Sequence, residues 1–213
     1  MKFAIISAGE GSRLSQEGVQ LPKPLVQLNG VAMIDRLIHI FAQNGAEEVV
    51  VIINNEVPLT KAHLQELEKT SEVPLRVVVK TTPSSMHSFY ELSRYLKDDR
   101  FCLTTVDTIF REEEFAHFIE AFKAFDGDGM MAVTENPLYI GTDEANRITG
   151  FYDSLQPDTR YISGGIYCLS PKSIVTLEKC MAQGMSRMRN FQRQLVADGL
   201  QLKAYPFSKI LDV

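Results

Sequence analysis

The sequence predicts an α/β protein, a three-layer α/β/α sandwich around a mostly parallel mixed sheet. Three observations carry that prediction. Through the first half, β-branched apolar runs of strand length alternate with segments whose apolar residues recur at helical spacing. Such alternation implies parallel strands joined by right-handed crossover helices. The segments that follow three of the strands carry glycine, serine or aspartate, at the sheet edge where open α/β sheets bind their ligands.

The elements follow in order. Residues 2–6 read as a buried strand that breaks into Ser7-Ala8-Gly9-Glu10-Gly11-Ser12-Arg13-Leu14. After Pro22-Lys23-Pro24, an extended "PLVQL" leads to a turn at Asn29-Gly30. Val31, Ile34, Leu37, Ile38 and Phe41 then mark a helix that Asn44-Gly45 stops. "EEVVVIIN" at 47–54 is a strand, Leu59 to Thr70 a helix, and "LRVVVK" near 75–80 a strand. Ser84 or Ser85 can cap a helix from Met86 to about Lys97, and "FCLTTV" at 101–106 is the next strand. A helix from Arg111 to Phe125 follows. In the second half "GMMAVTE", "RITGFY" and "YISGGIYCLS" read as strands, with a polar excursion, "NPLYIGTDEAN", between the first two. Helices at about 171–182 and 187–198 precede "LKAYPF" and "KILDV".

Composition narrows the functional classes. A chain of 213 residues with 45% hydrophobic content suffices for one sizeable core, so a single domain over 1–213 is expected. The net charge is −5 with acids and bases interspersed, which leaves no broad basic face for nucleic acid. Cys102, Cys168 and Cys180 are odd in number and widely spaced, fitting neither a disulfide framework nor a zinc site, and are expected as buried apolar residues. No run is long enough to span a membrane and no leader pattern opens the chain, so a cytoplasmic location without a membrane partner is expected.

The opening 25 residues carry the clearest chemistry. Gly9 and Gly11 allow backbone conformations closed to other residues and let phosphate oxygens approach main-chain N–H groups. Arg13 and Lys23 add positive charge, the first as a planar fork and the second as a point charge. Proline on both sides of Lys23 restricts the local backbone, and Pro24 is expected to push Lys23 towards an extended conformation. The spacing is neither that of the dinucleotide fingerprint, whose third glycine is replaced by Leu14, nor that of the P-loop, whose Gly-Lys-Ser/Thr is missing. Asp107 ends an apolar strand, where a carboxylate must be solvated, hydrogen-bonded or bound to a cation. It reads either as a Mg²⁺ ligand or as a cap for the helix that follows.

The stretch "AIISAGEGSRL" followed by "PKPLVQLNG" resembles the signature of the sugar-phosphate nucleotidyltransferases. "TTVDTIF", "AVTENPLYIGTDEANRITGFYD" and "YISGGIYCLSP" resemble later segments of that family in the same order. The resemblance implies a Rossmann-like nucleotide-diphospho-sugar transferase sheet, with a nucleotide-binding half at 1–110 and an acceptor-binding half at 111–213. It implies nucleotide contacts from Ala8, Gly9, Glu10, Gly11, Ser12, Arg13, Ser84 and Ser85, with Arg13 on the triphosphate and Lys23 near the reacting phosphates as the catalytic pair. It further implies acceptor contacts at Gly164 and Gly165, and Mg²⁺ held by Asp107 and Asp212. His87 is read as a bystander. Two features depart from the family: Tyr152-Asp153-Ser154 stands where many relatives carry Glu-Lys-Pro, and few residues follow Asp212.

The activity so implied joins a nucleoside triphosphate to a sugar 1-phosphate, with release of pyrophosphate. A homo-oligomer is compatible with it. The altered acceptor segment keeps two alternatives open, a cytidylyltransferase acting on phosphocholine or another alcohol phosphate, and a regulatory nucleotide-binding domain. Glycosyl transfer on a similar sheet asks for an Asp-x-Asp motif, which Asp107-Thr108-Ile109 lacks.

Overall fold

The structure, a computed structural model, describes residues 1–9 and 12–213, those at 12 and 13 in their backbone only. Strand β1 (Lys2–Ser7) precedes a short helix α1 (Ser12–Gln16), a 3-10 turn (Lys23–Leu25), the two-residue strands β2 (Gln27–Leu28) and β3 (Val31–Ala32), and helix α2 (Met33–Gln43). Next come β4 (Val49–Ile53), α3 (Pro58–Thr70), β5 (Leu75–Val79), α4 (Ser85–Ser93) and β6 (Phe101–Thr105). The rest runs β7 (Thr108–Phe110), α5 (Glu112–Ala124), β8 (Gly129–Thr142), β9 (Ile148–Phe151), β10 (Thr159–Leu169), α6 (Lys172–Ala182), α7 (Met188–Ala197), β11 (Leu202–Pro206) and β12 (Ile210–Asp212).

The main sheet has the order β11-β8-β10-β6-β1-β4-β5, with β9 paired to the far end of β8. Strands β5, β4, β1 and β6 are parallel, β10 is antiparallel to both β6 and β8, and β11 runs parallel to β8. Strand β1 is buried on both faces, as parallel strands in three-layer folds are. Ala4 and Ile6 face one core with α4, α6 and α7, through Phe89, Leu177 and Phe191 among others. Phe3 and Ile5 face the other, with α2, α3 and α5, through Phe41, Leu64 and Phe115. The helices between β1, β4 and β5 thus lie on one side, and the crossover from β5 to β6 runs over the other. That reversal makes the junction of β1 and β6 the switch point of the sheet, the place where such folds hold ligands.

Local chemistry explains several boundaries. Ser84 caps α4, its hydroxyl accepting the His87 N–H at 3.3 Å while also bonding His87 Nδ1 at 2.6 Å. Replacing Ser84 with alanine is expected to lower stability by about 1 kcal/mol, read as a drop in the urea midpoint. Helix α4 ends at Ser93 rather than near Lys97, because the chain tightens into turns from Tyr95 N to Leu92 O and from Leu96 N to Ser93 O, which keep Leu96 in the core. Lys23 is not extended. It opens a 3-10 turn closed by Leu25 N to Pro22 O at 2.9 Å and Val26 N to Lys23 O at 3.2 Å. Pro24 is tolerated there because the first turn of a helix asks no N–H of it.

The expected polar excursion after "GMMAVTE" is largely strand, since β8 continues to Thr142. Pro137 fits because the pairing is irregular there: β10 advances only from Thr159 to Tyr161 while β8 runs from Gly141 to Glu135. Such a bulge is where a strand can accept proline. Strand β7 is too short to have been read from sequence, yet it pairs with β12 to form a separate two-stranded ribbon. Cys102, Cys168 and Cys180 are free and buried, as expected. Among the described residues no helix is long and apolar enough to cross a membrane.

Candidate active site

The site is assembled at the carboxyl ends of β1, β4, β5 and β6. Lys23 Nζ donates to Asp107 Oδ2 at 2.8 Å, an ion pair between residues 84 positions apart, with both side chains largely buried. Burial is the largest influence on the Asp107 carboxyl and pushes its pKa up. The Lys23 ammonium and the hydrogen-bonding contacts with Thr105 and Asp212 outweigh it and hold the group below the usual carboxylate range. Asp107 is therefore an anion at neutral pH. It does not cap α5, whose N-cap is Arg111 with no side-chain bond, so the capping alternative falls away.

Asp212 reaches Asp107 through the β7–β12 ribbon. Asp212 is registered against Thr108, and Val213 N donates to Asp107 O at 3.2 Å. The two carboxylates expected to bind a metal are thus adjacent. Among the described residues no group of three or more His, Cys, Asp or Glu side chains is placed to hold a metal ion. A cation at the aspartate pair must then complete its shell from substrate oxygens or water. Mg²⁺ fits such a donor set, because it takes one or two carboxylates together with phosphate oxygens.

Two cavities meet at this edge. One, of about 140 Å³, is lined by Ser7, Gly9, Lys23, Ser85, Thr105 and Asp107, with Ile6, Pro24 and Val106. The second, of about 470 Å³, is bounded by Ala8, Gly9, Asn54, the 81–85 segment and Ser88. The Gly9 loop, the Ser84 helix start and Asp107 therefore converge as their places after strands implied. Gly9 has no left-handed φ, and a Cβ added there would meet nothing within 4 Å. What it supplies is room between the cavities rather than an unusual backbone conformation. Glu10 and Gly11, and the side chains of Ser12 and Arg13, lie outside the described residues.

Asn54 was not singled out from the sequence. It is 3% exposed, and its carboxamide oxygen accepts from Glu56 N at 2.8 Å and from the Thr81 hydroxyl at 2.7 Å. The signal was present, since a polar residue ends the apolar run "EEVVVIIN" as Asp107 ends "FCLTTV".

On the acceptor side, Gly164 and Gly165 sit in a bulge where β10 runs from Ser163 to Tyr167 while β8 moves only from Val133 to Met131. Gly165 has φ +77° and faces the Thr105 and Thr108 hydroxyls, which bond each other at 2.8 Å beside Asp107. Gly164 gives its space to Ile210, whose Cδ1 would clash with an added Cβ. Tyr167 is buried behind the bulge, bonded to Ser163 Oγ at 3.2 Å and Gln192 Nε2 at 3.1 Å, and burial pushes its phenol above the usual range. Sequence reasoning also passed over Arg189 and Arg193. They pair with Asp153 at 3.2 and 2.8 Å, and Arg189 lies 4.5 Å over the Tyr139 ring. These cations stand beside the segment that departs from Glu-Lys-Pro, and their helical i, i+4 spacing was legible in "RNFQR".

Residues 3–196 match the family model described as the MobA-like NTP transferase domain. The chain belongs to that family. A mannose-1-phosphate guanylyltransferase catalytic subunit beta of Dictyostelium discoideum is 28% identical over 180 residues, covering 80% of this chain and 50% of the relative. A glucose-1-phosphate cytidylyltransferase of Salmonella typhi is 24% identical over 197 residues, covering 82% of this chain and 77% of its own. The chain spans about half the length of the mannose-1-phosphate guanylyltransferases it matches. Among solved structures, an inositol-1-phosphate CTP transferase from T. maritima superposes with a TM-score of 0.80 at 18% identity, covering 100% of this chain and 88% of that one. As a member of the NTP transferase domain family with this sheet, the chain has the fold its sequence implied.

Proposed function

We propose that this chain transfers a nucleotidyl group from a nucleoside triphosphate to a sugar 1-phosphate, with release of pyrophosphate. The observation that carries the reading is the Lys23–Asp107–Asp212 constellation at the sheet's switch point, between a polar cavity and a bulged strand. The names of the Dictyostelium and Salmonella relatives support it. In the reaction an oxygen of the acceptor phosphate bonds to the α-phosphorus. The bond from that phosphorus to the oxygen bridging to the β-phosphorus breaks, and its electron pair leaves on pyrophosphate. An acceptor phosphate is already anionic near neutral pH, so no strong general base is required.

Asp107 and Asp212 would hold Mg²⁺, which when bound neutralises charge on the transferring phosphoryl group. The chain's own residues then do three things. Lys23 exchanges its carboxylate partner for phosphate oxygens, supplying a fixed positive charge where negative charge develops. Gly9 and the Ser84–Ser85 helix start leave main-chain N–H groups and hydroxyls facing the ribose and base. The bulge at Gly164–Gly165 brings the acceptor strand against the Asp107 loop, so both substrates meet in line. Arg13 belongs to this proposal through the resemblance of its motif.

The test is a screen of common triphosphates against a panel of phosphomonoesters with Mg²⁺, read by pyrophosphate release and product mass. A nucleotide-activated product from a sugar 1-phosphate is expected, and silence across the whole panel rejects the reading. Gly164→Ala is a sharper probe, because the new methyl displaces Ile210, two residues from Asp212. The Mg²⁺ concentration for half-maximal rate is expected to rise several-fold, with metal-free nucleotide affinity unchanged.

A further inference from the structure

Two cations near the acceptor strand have no part in the transfer chemistry described so far. Arg189 and Arg193 stand one turn apart on α7, and both donate to a single oxygen, Asp153 Oδ1, at 3.2 and 2.8 Å. Neither depends on Asp153 alone for its position. Arg189 Nη1 also reaches Tyr152 O at 3.4 Å and its guanidinium lies 4.5 Å over the Tyr139 ring, while Arg193 Nε donates to Phe151 O at 2.9 Å. Main chain and ring thus hold both guanidiniums in place. A pair held in this way grips an anion without first having to order two long side chains.

Asp153 is the loose member of the cluster. Its side chain is 74% exposed, against 39% and 38% for the two arginines. Bonds from Arg193 and then Arg189 hold its carboxyl below the usual range, so it is charged near neutrality. Exposed ion pairs contribute little net stability, because water and salt compete for them. One carboxylate against two guanidiniums also leaves positive charge in excess. An incoming anion that both forks can grip is therefore able to replace Asp153 at small cost.

A chain of bonds joins the cluster to the reaction centre. Gln192, between the two arginines on α7, is 5% exposed and donates from Nε2 to the Tyr167 hydroxyl at 3.1 Å. That oxygen bonds Ser163 Oγ at 3.2 Å, which accepts from Gly165 N at 3.2 Å. Gly165 in turn faces the Thr105 and Thr108 hydroxyls beside Asp107. Burial dominates the Tyr167 phenol, yet Asp212 raises its pKa and Arg189 lowers it, so a metal-side carboxylate and an arginine of the pair act on one oxygen.

We propose that Arg189 and Arg193 read a second anionic group on the acceptor, a carboxylate or a second phosphate at the end away from the reacting phosphate, and that Asp153 is the placeholder it displaces. The proposal rests on the nucleotidyl-transfer reading of this site and names its acceptor class. The reacting phosphate has its charge met at Lys23 and the aspartate pair, which leaves the arginine charge for the far end of the acceptor. A sugar that is neutral there leaves Asp153 in place and gains nothing from the pair.

Pyrophosphate release in Mg²⁺ buffer, with each common triphosphate, is measured for glucose and mannose 1-phosphates, their 1,6-bisphosphates, glucuronic acid 1-phosphate and phosphocholine. At least one doubly anionic sugar is expected to exceed its singly anionic parent in kcat/KM by about tenfold, the scale of one hydrogen bond to a charged group. Arg193→Gln should bring that ratio close to one, and added salt should erode it. Asp153→Asn should raise it a few-fold, since the placeholder no longer competes. Were the cluster only a fastening for the loop after β9, both variants would lower all rates alike and the ratio would not move. Melting temperatures are read alongside, so that a poorly folded Arg193→Gln leaves Asp153→Asn to decide. A ratio at or below one in the parent overturns the proposal, as does an Asp153→Asn ratio no higher than the parent's, or phosphocholine outpacing every sugar phosphate. If no acceptor reacts, the same esters are titrated calorimetrically into the parent and Asp153→Asn. Tighter binding of a doubly anionic ester to the variant then keeps the arginine site while the transfer reading falls, and equal binding overturns both.

Discussion

Asp107→Asn is expected to leave a folded protein whose turnover is lower by about 10²–10³-fold, the scale on which removing one preorganised electrostatic group acts. The change keeps the shape and removes the charge. Lys23 then faces a neutral amide, and the aspartate pair loses one of its two carboxylates. Lys23→Ala should cost a similar factor, and the double variant little more than either alone, because the two residues act as one unit at 2.8 Å. Near-normal rates in both single variants reject the assignment of the site. Stability supplies an independent reading. The Asp107 carboxyl is held below its ordinary range despite burial, so its folded pKa lies below its unfolded value of about 3.9. A group with a depressed folded pKa stabilises the fold above the unfolded value and loses that contribution as pH falls through the folded one. The gap in urea midpoint between the parent and Asp107→Asn should therefore be constant near neutrality and shrink below about pH 4.

Phe115→Ala is expected to cost about 3–5 kcal/mol, the largest stability loss of the variants considered. Phe115 is fully buried and touches four rings: Phe110 at 4.8 Å between centroids, Phe41 at 5.6 Å, Phe118 at 6.2 Å and Phe3 at 6.3 Å. Truncation removes both the transfer energy of the ring and the packing of its neighbours. The melting temperature should fall by roughly 10 °C for a chain of this size. A loss under 1 kcal/mol shows that the helix α5 layer is not part of the cooperative core. The effect should also reach the site. Phe110 stacks on Phe115 and belongs to β7, the strand that pairs with β12 and sets Asp212 beside Asp107. Residual activity of Phe115→Ala should accordingly need more Mg²⁺ than that of the parent.

Elements with strong local patterning were legible. Val49–Ile53 is five consecutive buried apolar residues, and Met33–Gln43 carries its core residues at helical spacing, so burial and periodicity agree. Ser84 was readable as a cap because capping is decided within three residues. The strand β8 beyond Glu135 was not, because polar residues and Pro137 are locally loop-like and only pairing with β9 and β10 makes them strand. Lys23 reads from the sequence as a clamped lysine in an extended stretch, but bonds from Leu25 N to Pro22 O and from Val26 N to Lys23 O hold it in a turn against the preference imposed by Pro24. Arg189 and Arg193 went unremarked because a basic helix face is ordinarily solvated, and only the fold sets them against Asp153.

By itself the sequence determined the layer architecture, the strands whose ends carry the site, and the residue types available there: glycine, lysine, hydroxyls and two aspartates. Those follow from patterns of a few residues, where apolar spacing and turn chemistry act directly. The tertiary structure alone decided that Lys23 meets Asp107 across 84 positions, that a two-stranded ribbon brings Asp212 beside them, and that Gly164 makes way for Ile210. The physical reason is that such contacts depend on strand order and register, which arise from simultaneous burial of both sheet faces and from no local stretch of chain.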